Sequence, residues 1–148
     1  MQLGGNIMPL QNIEPVASAQ MDVLVQTGQQ EWIQMDELAF IKVLYTAPET
    51  GAYAVVLKWL AGYSPGAHKH LAGGHTYMLS GKLQLRDITL SPGDYIYESN
   101  AVIHDDIVAL EDSEFLFVSN GAIVFYDENG LTNYLSWEEI ERLRESTE

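Results

Sequence analysis

Three of the chain's four histidines, His68, His70 and His75, fall within eight positions in GAHKHLAGGHTYMLSG, residues Gly66 to Gly81. Imidazole nitrogens serve as acids, bases and metal ligands near neutral pH, so their concentration in one stretch invites a chemical reading. If Ala67 to Leu71 is extended, His68 and His70 are two apart and project to the same side, where both can reach one ion. Gly73-Gly74 offers a reversal that carries His75 back beside them at the head of the next strand. A metal is among the few things that draw three imidazoles together. The fourth, His104, lies in NAVIHDDIVAL beyond the Pro92-Gly93 turn and joins the others only if distant antiparallel strands lie side by side. Two surface histidines on an exposed strand have the same HxH spacing, so the motif alone leaves both readings open.

The elements that must position these residues are strands. Short segments rich in Val, Ile, Tyr, Trp and Phe run from Phe40 to Tyr45, Tyr53 to Gly62, His75 to Gly81, Lys82 to Leu90, Asp94 to Ser99, Glu114 to Asn120 and Ala122 to Asp127. Turn signals separate them: Pro48 with Gly51, Pro65-Gly66, Gly73-Gly74, Gly81, Pro92-Gly93 and Asn129-Gly130. Only the C-terminus patterns as a helix. Ser136 with Glu139 forms a capping box, Leu135 and Ile140 stand at hydrophobic-staple spacing, and Trp137, Ile140 and Leu143 share a face expected to pack on the outside of the sheets. The organisation expected is one domain, with an arm or edge strands over residues 1–36, a barrel over 37–135 and a helix over 136–148.

Composition narrows the partners. With 21 acidic against 7 basic residues the net charge is -14, which repels phosphate backbones and anionic lipid, so no nucleic acid and no membrane are expected. No apolar run approaches a membrane span and no basic-flanked leader precedes Lys42; the expected location is the cytoplasm. Cysteine is absent, excluding disulfides, thiolate metal sites and a cysteine nucleophile. GxSxG, a phosphate-binding glycine loop and CxxC are absent too.

The frame around the histidines extends well beyond HxH. Gly62 is followed after five residues by His68, then His70; four residues later comes His75; Gly81 closes the hairpin; and ten residues separate Gly93 from His104. GYSPGAHKHLAGGHTYMLSG and GDYIYESNAVIH resemble the two motifs of the cupin superfamily, and with the strands between them the likeness covers roughly Tyr53 to Tyr126. His75 stands where that family has its glutamate, Ser99 where it has proline and Ala101 where it has glycine. HTYMLSGKL, PGDYIYE and the run to FYDENG most resemble the iron-dependent cupins that cleave acetylacetone or 2,4'-dihydroxyacetophenone. The resemblance implies an all-β fold, the double-stranded β-helix or jelly-roll barrel, with a short C-terminal helix. It also implies Fe(II) held by His68, His70 and His104, and a dioxygenase that takes O2 and a small diketone or hydroxyketone and cleaves a C–C bond. Iron rests on the resemblance alone, because imidazole suits Zn, Fe, Cu and Ni, and Zn or Ni are alternatives in purified protein. Three neutral imidazoles leave the ion its full 2+ charge, which favours a substrate chelating as an anion, and leave positions open for it.

Four further residues enter as catalytic candidates. His75 reads as a fourth ligand, as a donor orienting substrate or bound oxygen, or as a histidine bonded to backbone. Glu98 occupies a place where the resembling dioxygenases have a glutamate near the metal; facing inward it accepts from a ligand imidazole or takes the substrate's proton, and facing outward it is a solvated acid. Asp94, Ile96 and Glu98 alternate with Tyr95 and Tyr97, and the sequence leaves open which set faces in. Tyr77 shares the parity of His75 and reads as cavity lining or core, Arg86 as a holder of anionic product or a surface residue, and Asp105 and Asp106 as exposed acids beside His104. Other functions compatible with the frame are a non-catalytic binder or sensor with structural metal, and a metal-free isomerase or carbohydrate binder using the histidines as acid and base. Sheet edges predict a homodimer, with the segment before Phe40 as a candidate contact.

Overall fold

The computed structural model describes residues 22–105 and 107–147. Among the described residues, a 3-10 turn (Thr27–Gln29) and thirteen strands precede one α-helix: β1 (Ile33–Asp36), β2 (Ala39–Ala47), β3 (Ala52–Trp59), β4 (His68–His70), β5 (Gly74–Ser80), β6 (Leu83–Leu85), β7 (Ile88–Leu90), β8 (Tyr95–Glu98), β9 (Ile103–His104), β10 (Ile107–Ala109), β11 (Ser113–Ser119), β12 (Ile123–Asp127), β13 (Gly130–Leu135) and α1 (Trp137–Glu145). They form a six-stranded sheet ordered β1-β2-β3-β11-β5-β8, a four-stranded sheet ordered β13-β12-β4-β9 and a three-stranded sheet ordered β10-β6-β7. Every pairing is antiparallel.

The period-2 rule shows most clearly in β11, where Ser113, Phe115, Phe117 and Ser119 are buried while Glu114, Leu116 and Val118 are half-buried on the other face. Its inward aromatics join Ile41, Val55, Trp59, Met78, Leu83 and Ile123 in one core drawn from all three sheets. That core is the wall of the cavity described below.

Three elements depart from the sequence reading. Lys82 to Leu90 is not one strand: Leu85 pairs with Ile88, leaving a two-residue loop in which Arg86 takes a left-handed φ of 50. Strand β13 was not expected. It closes a hairpin in which Asp127 pairs with Gly130, the glycine supplying a φ of 114, and its exposure along most of its length removes the alternation by which strands are recognised. The helix forms where the capping box places it: the Ser136 hydroxyl accepts from the Glu138 N–H and Glu139 Oε2 accepts from the Ser136 N–H at 2.8 Å. It does not simply lie on the outside of the sheets, because Ile140 is fully buried within the core, with Trp137 and Leu143 packed against it. Most of the segment read as an N-terminal arm, residues 1–21, lies outside the described residues; β1 forms one edge of the large sheet.

Ile140→Ala therefore acts as a core deletion, expected to cost about 2–5 kcal/mol. Urea unfolding at equilibrium measures it; a loss typical of surface positions contradicts the placement of the helix.

Candidate metal centre

Strand β4 is only HKH, with both histidines buried and Lys69 exposed between them. It lies between β12 and β9, and in the β4–β9 register His68 stands directly opposite His104. Cross-strand pairing thus brings together residues far apart in sequence. Ring centroids are 5.5 Å apart for His68 and His70, 5.3 Å for His68 and His104, and 5.1 Å for His70 and His104. Convergence of these three imidazoles, expected from the sequence, is present in the structure.

His75 does not join them. Gly74, Thr76 and Met78 are the inward residues of β5, which turns His75 and Tyr77 outward. His75 is half-buried with Nδ1 2.6 Å from the Tyr95 hydroxyl, and Tyr77 is 44% exposed. Gly73 and Gly74 also serve another purpose than the one read from sequence. Neither has a positive φ; instead a Cβ on Gly73 would meet the Tyr97 hydroxyl at 2.0 Å, and one on Gly74 would meet Phe117 Cε2 at 2.9 Å and His70 Nδ1 at 3.3 Å. The glycines make room for Tyr97, Phe117 and His70. Arg86 is an exposed turn residue that does not line the cavity, so it is not placed to hold a product there. Asp105 is exposed, and Asp106 lies outside the described residues.

The parity of β8 resolves the other way. Tyr95 and Tyr97 face out, Ile96 and Glu98 face in, and Glu98 pairs with Gly74. Glu98 is buried; its Oε2 accepts a hydrogen bond from the buried Thr76 hydroxyl at 3.0 Å, and its Oε1 lies 3.9 Å from Nε2 of both His70 and His104. Among the described residues, the donor atoms of His70, Glu98 and His104 all lie within 4.8 Å of one another. His68 stands beside this set. Its Nδ1 donates to the Gly66 carbonyl at 2.9 Å, which leaves Nε2 without a proton and able to ligate.

Burial sets the electrostatics. Desolvation, aided by the neighbouring His68 and His104 rings, pushes the His70 imidazole from 6.5 down to about 3. Desolvation lowers His68 too, partly offset by its bond to Gly66. Glu98 moves up, again by desolvation, with the Thr76 bond opposing the change. Both ring nitrogens of His70 are buried with no hydrogen-bond partner, an arrangement costly for a polar group. A cation on Nε2 answers it at that nitrogen, since neutral imidazole and carboxylate oxygen are the donor types that hold Zn and non-haem iron. The residues fit a metal ion.

This cluster opens on a cavity of about 100 Å³ whose polar lining includes His68, His70, Thr76 and Glu98 and whose walls are apolar, among them Leu57, Trp59, Ile96, Phe115 and Phe125. No lysine or arginine lines it. Sequence reasoning found the histidines and named Glu98, but missed Thr76 and the need for Gly74. The period-2 spacing of Gly74 and Thr76 was the available signal; the antiparallel pairing of β5 with β8 carries it across to Glu98.

Comparisons with known proteins agree with this geometry. A model of the ChrR cupin-like domain matches residues 20–124. The acetylacetone-cleaving enzyme of Acinetobacter johnsonii is 26% identical over 95 residues, covering 60% of this chain and 62% of that enzyme. A candidate acetylacetone dioxygenase from Methylibium petroleiphilum PM1 superposes with a TM-score of 0.79 at 25% identity, over 86% of this chain and 97% of that one. The acetylacetone dioxygenase structure from Acinetobacter johnsonii does so with a TM-score of 0.76 at 20% identity, over 94% and 100% of the two chains, a likeness of fold. No described helix is long and apolar enough to cross a membrane.

Two expectations follow. His70→Ala and Glu98→Ala should each lose stoichiometric divalent metal on titration into metal-free protein, while His75→Ala keeps it; retention by Glu98→Ala with loss by His68→Ala returns the third ligand to His68. The second concerns pH. The folded state resists protonation of His70, which the unfolded chain accepts at 6.5, so stability is fully present above 6.5 and falls as pH drops from 6.5 toward about 3. Glu98 acts oppositely, since the unfolded carboxyl ionises above 4.5 while the folded one resists, and its cost grows as pH rises. In metal-free protein, His70→Ala should flatten the slope of the urea midpoint with pH between 6.5 and about 3; a slope parallel to wild type contradicts the assignment.

Proposed function

Because the chain belongs to the ChrR cupin-like domain family, we propose that it is a metal-dependent cupin acting on a small organic molecule, and specifically a non-haem Fe(II) dioxygenase that cleaves a C–C bond in a diketone or hydroxyketone. The observation that carries the reading is the buried set of His70, Glu98 and His104, of which His70 and Glu98 line an apolar cavity. The acetylacetone-cleaving relative supports the reaction class, although the match spans 62% of that enzyme's length.

His70 and His104 would hold the ion through imidazole nitrogen and Glu98 through Oε1, with His68 Nε2 alongside. Iron held by these residues would supply Lewis-acid and redox chemistry toward a chelating substrate and O2. The chain's own residues do the remaining work. The Gly66 carbonyl fixes the His68 tautomer, and the Thr76 hydroxyl fixes the Glu98 carboxylate. Trp59, Phe115 and the aliphatic walls exclude water and receive the carbon skeleton. With Glu98 in the set, the centre carries a charge of 1+ and not the 2+ of three imidazoles. One enolate or ketol anion brings it to neutrality, which suits a cavity with no lysine or arginine in its lining. A second fixed anion on the substrate, such as a carboxylate, has no cation there to meet it.

Anaerobically iron-loaded protein should consume O2 in stoichiometry with a β-diketone or α-hydroxyketone from a panel of small, singly ionisable compounds, with carboxylate-bearing analogues inactive. Binding of panel members without product, followed by mass spectrometry, identifies a non-catalytic binder instead. Silence across the panel in both assays overturns the reading.

A further inference from the structure

The two oxygens of Glu98 have different neighbours. Oε1 lies 3.9 Å from Nε2 of His70 and of His104, while Oε2 accepts from Thr76 Oγ1 at 3.0 Å. The bond is buried at both ends, with Thr76 5% and Glu98 6% exposed, so bulk water competes little for it. Thr76 is placed by the same backbone register that places Glu98. On β5 it follows Gly74 by two, on β8 Ile96 precedes Glu98 by two, and the pairs Gly74 with Glu98 and Thr76 with Ile96 set the hydroxyl diagonally across from the carboxylate on the inward face. A carboxylate with both oxygens free is able to chelate an ion with two of them and so to fill a position a substrate needs.

We propose that Thr76 is a positioning residue that holds Glu98 Oε2 away from the ion, so that the carboxylate binds through Oε1 alone and a coordination position stays open for the organic ligand. The inference rests on the metal-binding reading above and adds to it the number of oxygens that Glu98 contributes. Partners that orient a ligand from outside the coordination sphere are typically worth 10- to 100-fold in metal affinity. The hydroxyl of Thr76 does this through Glu98, not by touching the metal. Its alternative role, a buried hydroxyl that simply finds an acceptor, affects folding stability but not the coordination number.

Cobalt(II) separates the two, because its visible bands lose intensity as coordination number rises. Titrated into the metal-free full chain, wild type should bind one Co(II). Thr76→Val, nearly isosteric but without the hydroxyl, should still bind one Co(II), with visible bands weakened as Oε2 swings onto the ion and affinity shifted about 10-fold. Thr76→Ser keeps the donor and should restore both affinity and spectrum. In a Glu98→Gln background, where no second carboxylate oxygen exists to restrain, Thr76→Val should change neither further. Thermal unfolding of each metal-free variant confirms that it is folded. Wild-type affinity and spectrum in Thr76→Val, equal loss in Thr76→Ser, or full additivity with Glu98→Gln overturns the assignment while leaving the metal centre intact. Failure of wild type to bind Co(II) at all overturns the metal centre itself.

Discussion

An imidazole with both ring nitrogens buried and no hydrogen-bond partner sits inside an apolar interior, and the rest of the site follows from that constraint. Left alone, His70 is an expensive residue: burial keeps it from taking up a second proton, and its nitrogens have lost the hydrogen bonds water would supply. The carboxyl of Glu98 is expensive for the same reason and in the opposite sense, since it resists losing its proton. A divalent cation relieves both at once. The donors come from two sheets, His70 and His104 from the four-stranded one and Glu98 from the edge of the six-stranded one, so an ion bound among them ties the sheets together. Binding of this kind, available only to the folded chain, adds directly to stability.

The position of the carboxylate follows from backbone register. His75 occupies the place in the motif where a glutamate was expected, yet the parity of β5 sends that position outward, where His75 meets Tyr95 and Tyr97. The carboxylate arrives from the neighbouring strand, opposite a glycine. Gly74 leaves the space into which Phe117 and His70 pack. Residues of β5 and β8 share the inward face although β6 and β7 lie between them in the chain, because a sheet face is defined by register and not by sequence order.

What was legible in the sequence divides along the same line. The strands that carry one buried and one wetter face, such as β2, β3 and β11, announce themselves by composition and spacing, and the helix does so through Ser136 and Glu139. Strand β13, exposed along most of its length, and the turn at Arg86 that splits β6 from β7 carry no such alternation. At the site, the histidine pair two apart fixed a common side for His68 and His70, and the long-range frame predicted the arrival of His104. The inward face of Asp94 to Glu98 was not legible, since acid and tyrosine alternate there and either set is chemically plausible inside a cavity. Only the pairing of β5 with β8 decides it, and that pairing is a property of the fold.

The charge at the centre then limits what the cavity accepts. Three neutral imidazoles leave a dication, which in apolar surroundings calls for two negative charges from the ligand or the solvent. A carboxylate from Glu98 beside the imidazoles would leave a bound dication a single positive charge, so a monoanion suffices. Around it the lining offers no lysine, no arginine and few hydrogen-bonding groups beyond the site itself. In a chain of net charge -14, a polyanion is repelled before it arrives and unsupported once inside. The diketone or hydroxyketone proposed as substrate, neutral in solution and shedding one proton on chelation, would meet neither obstacle: it would approach uncharged, place its carbon skeleton against aromatic walls and deliver its one charge where the protein has left one unmatched.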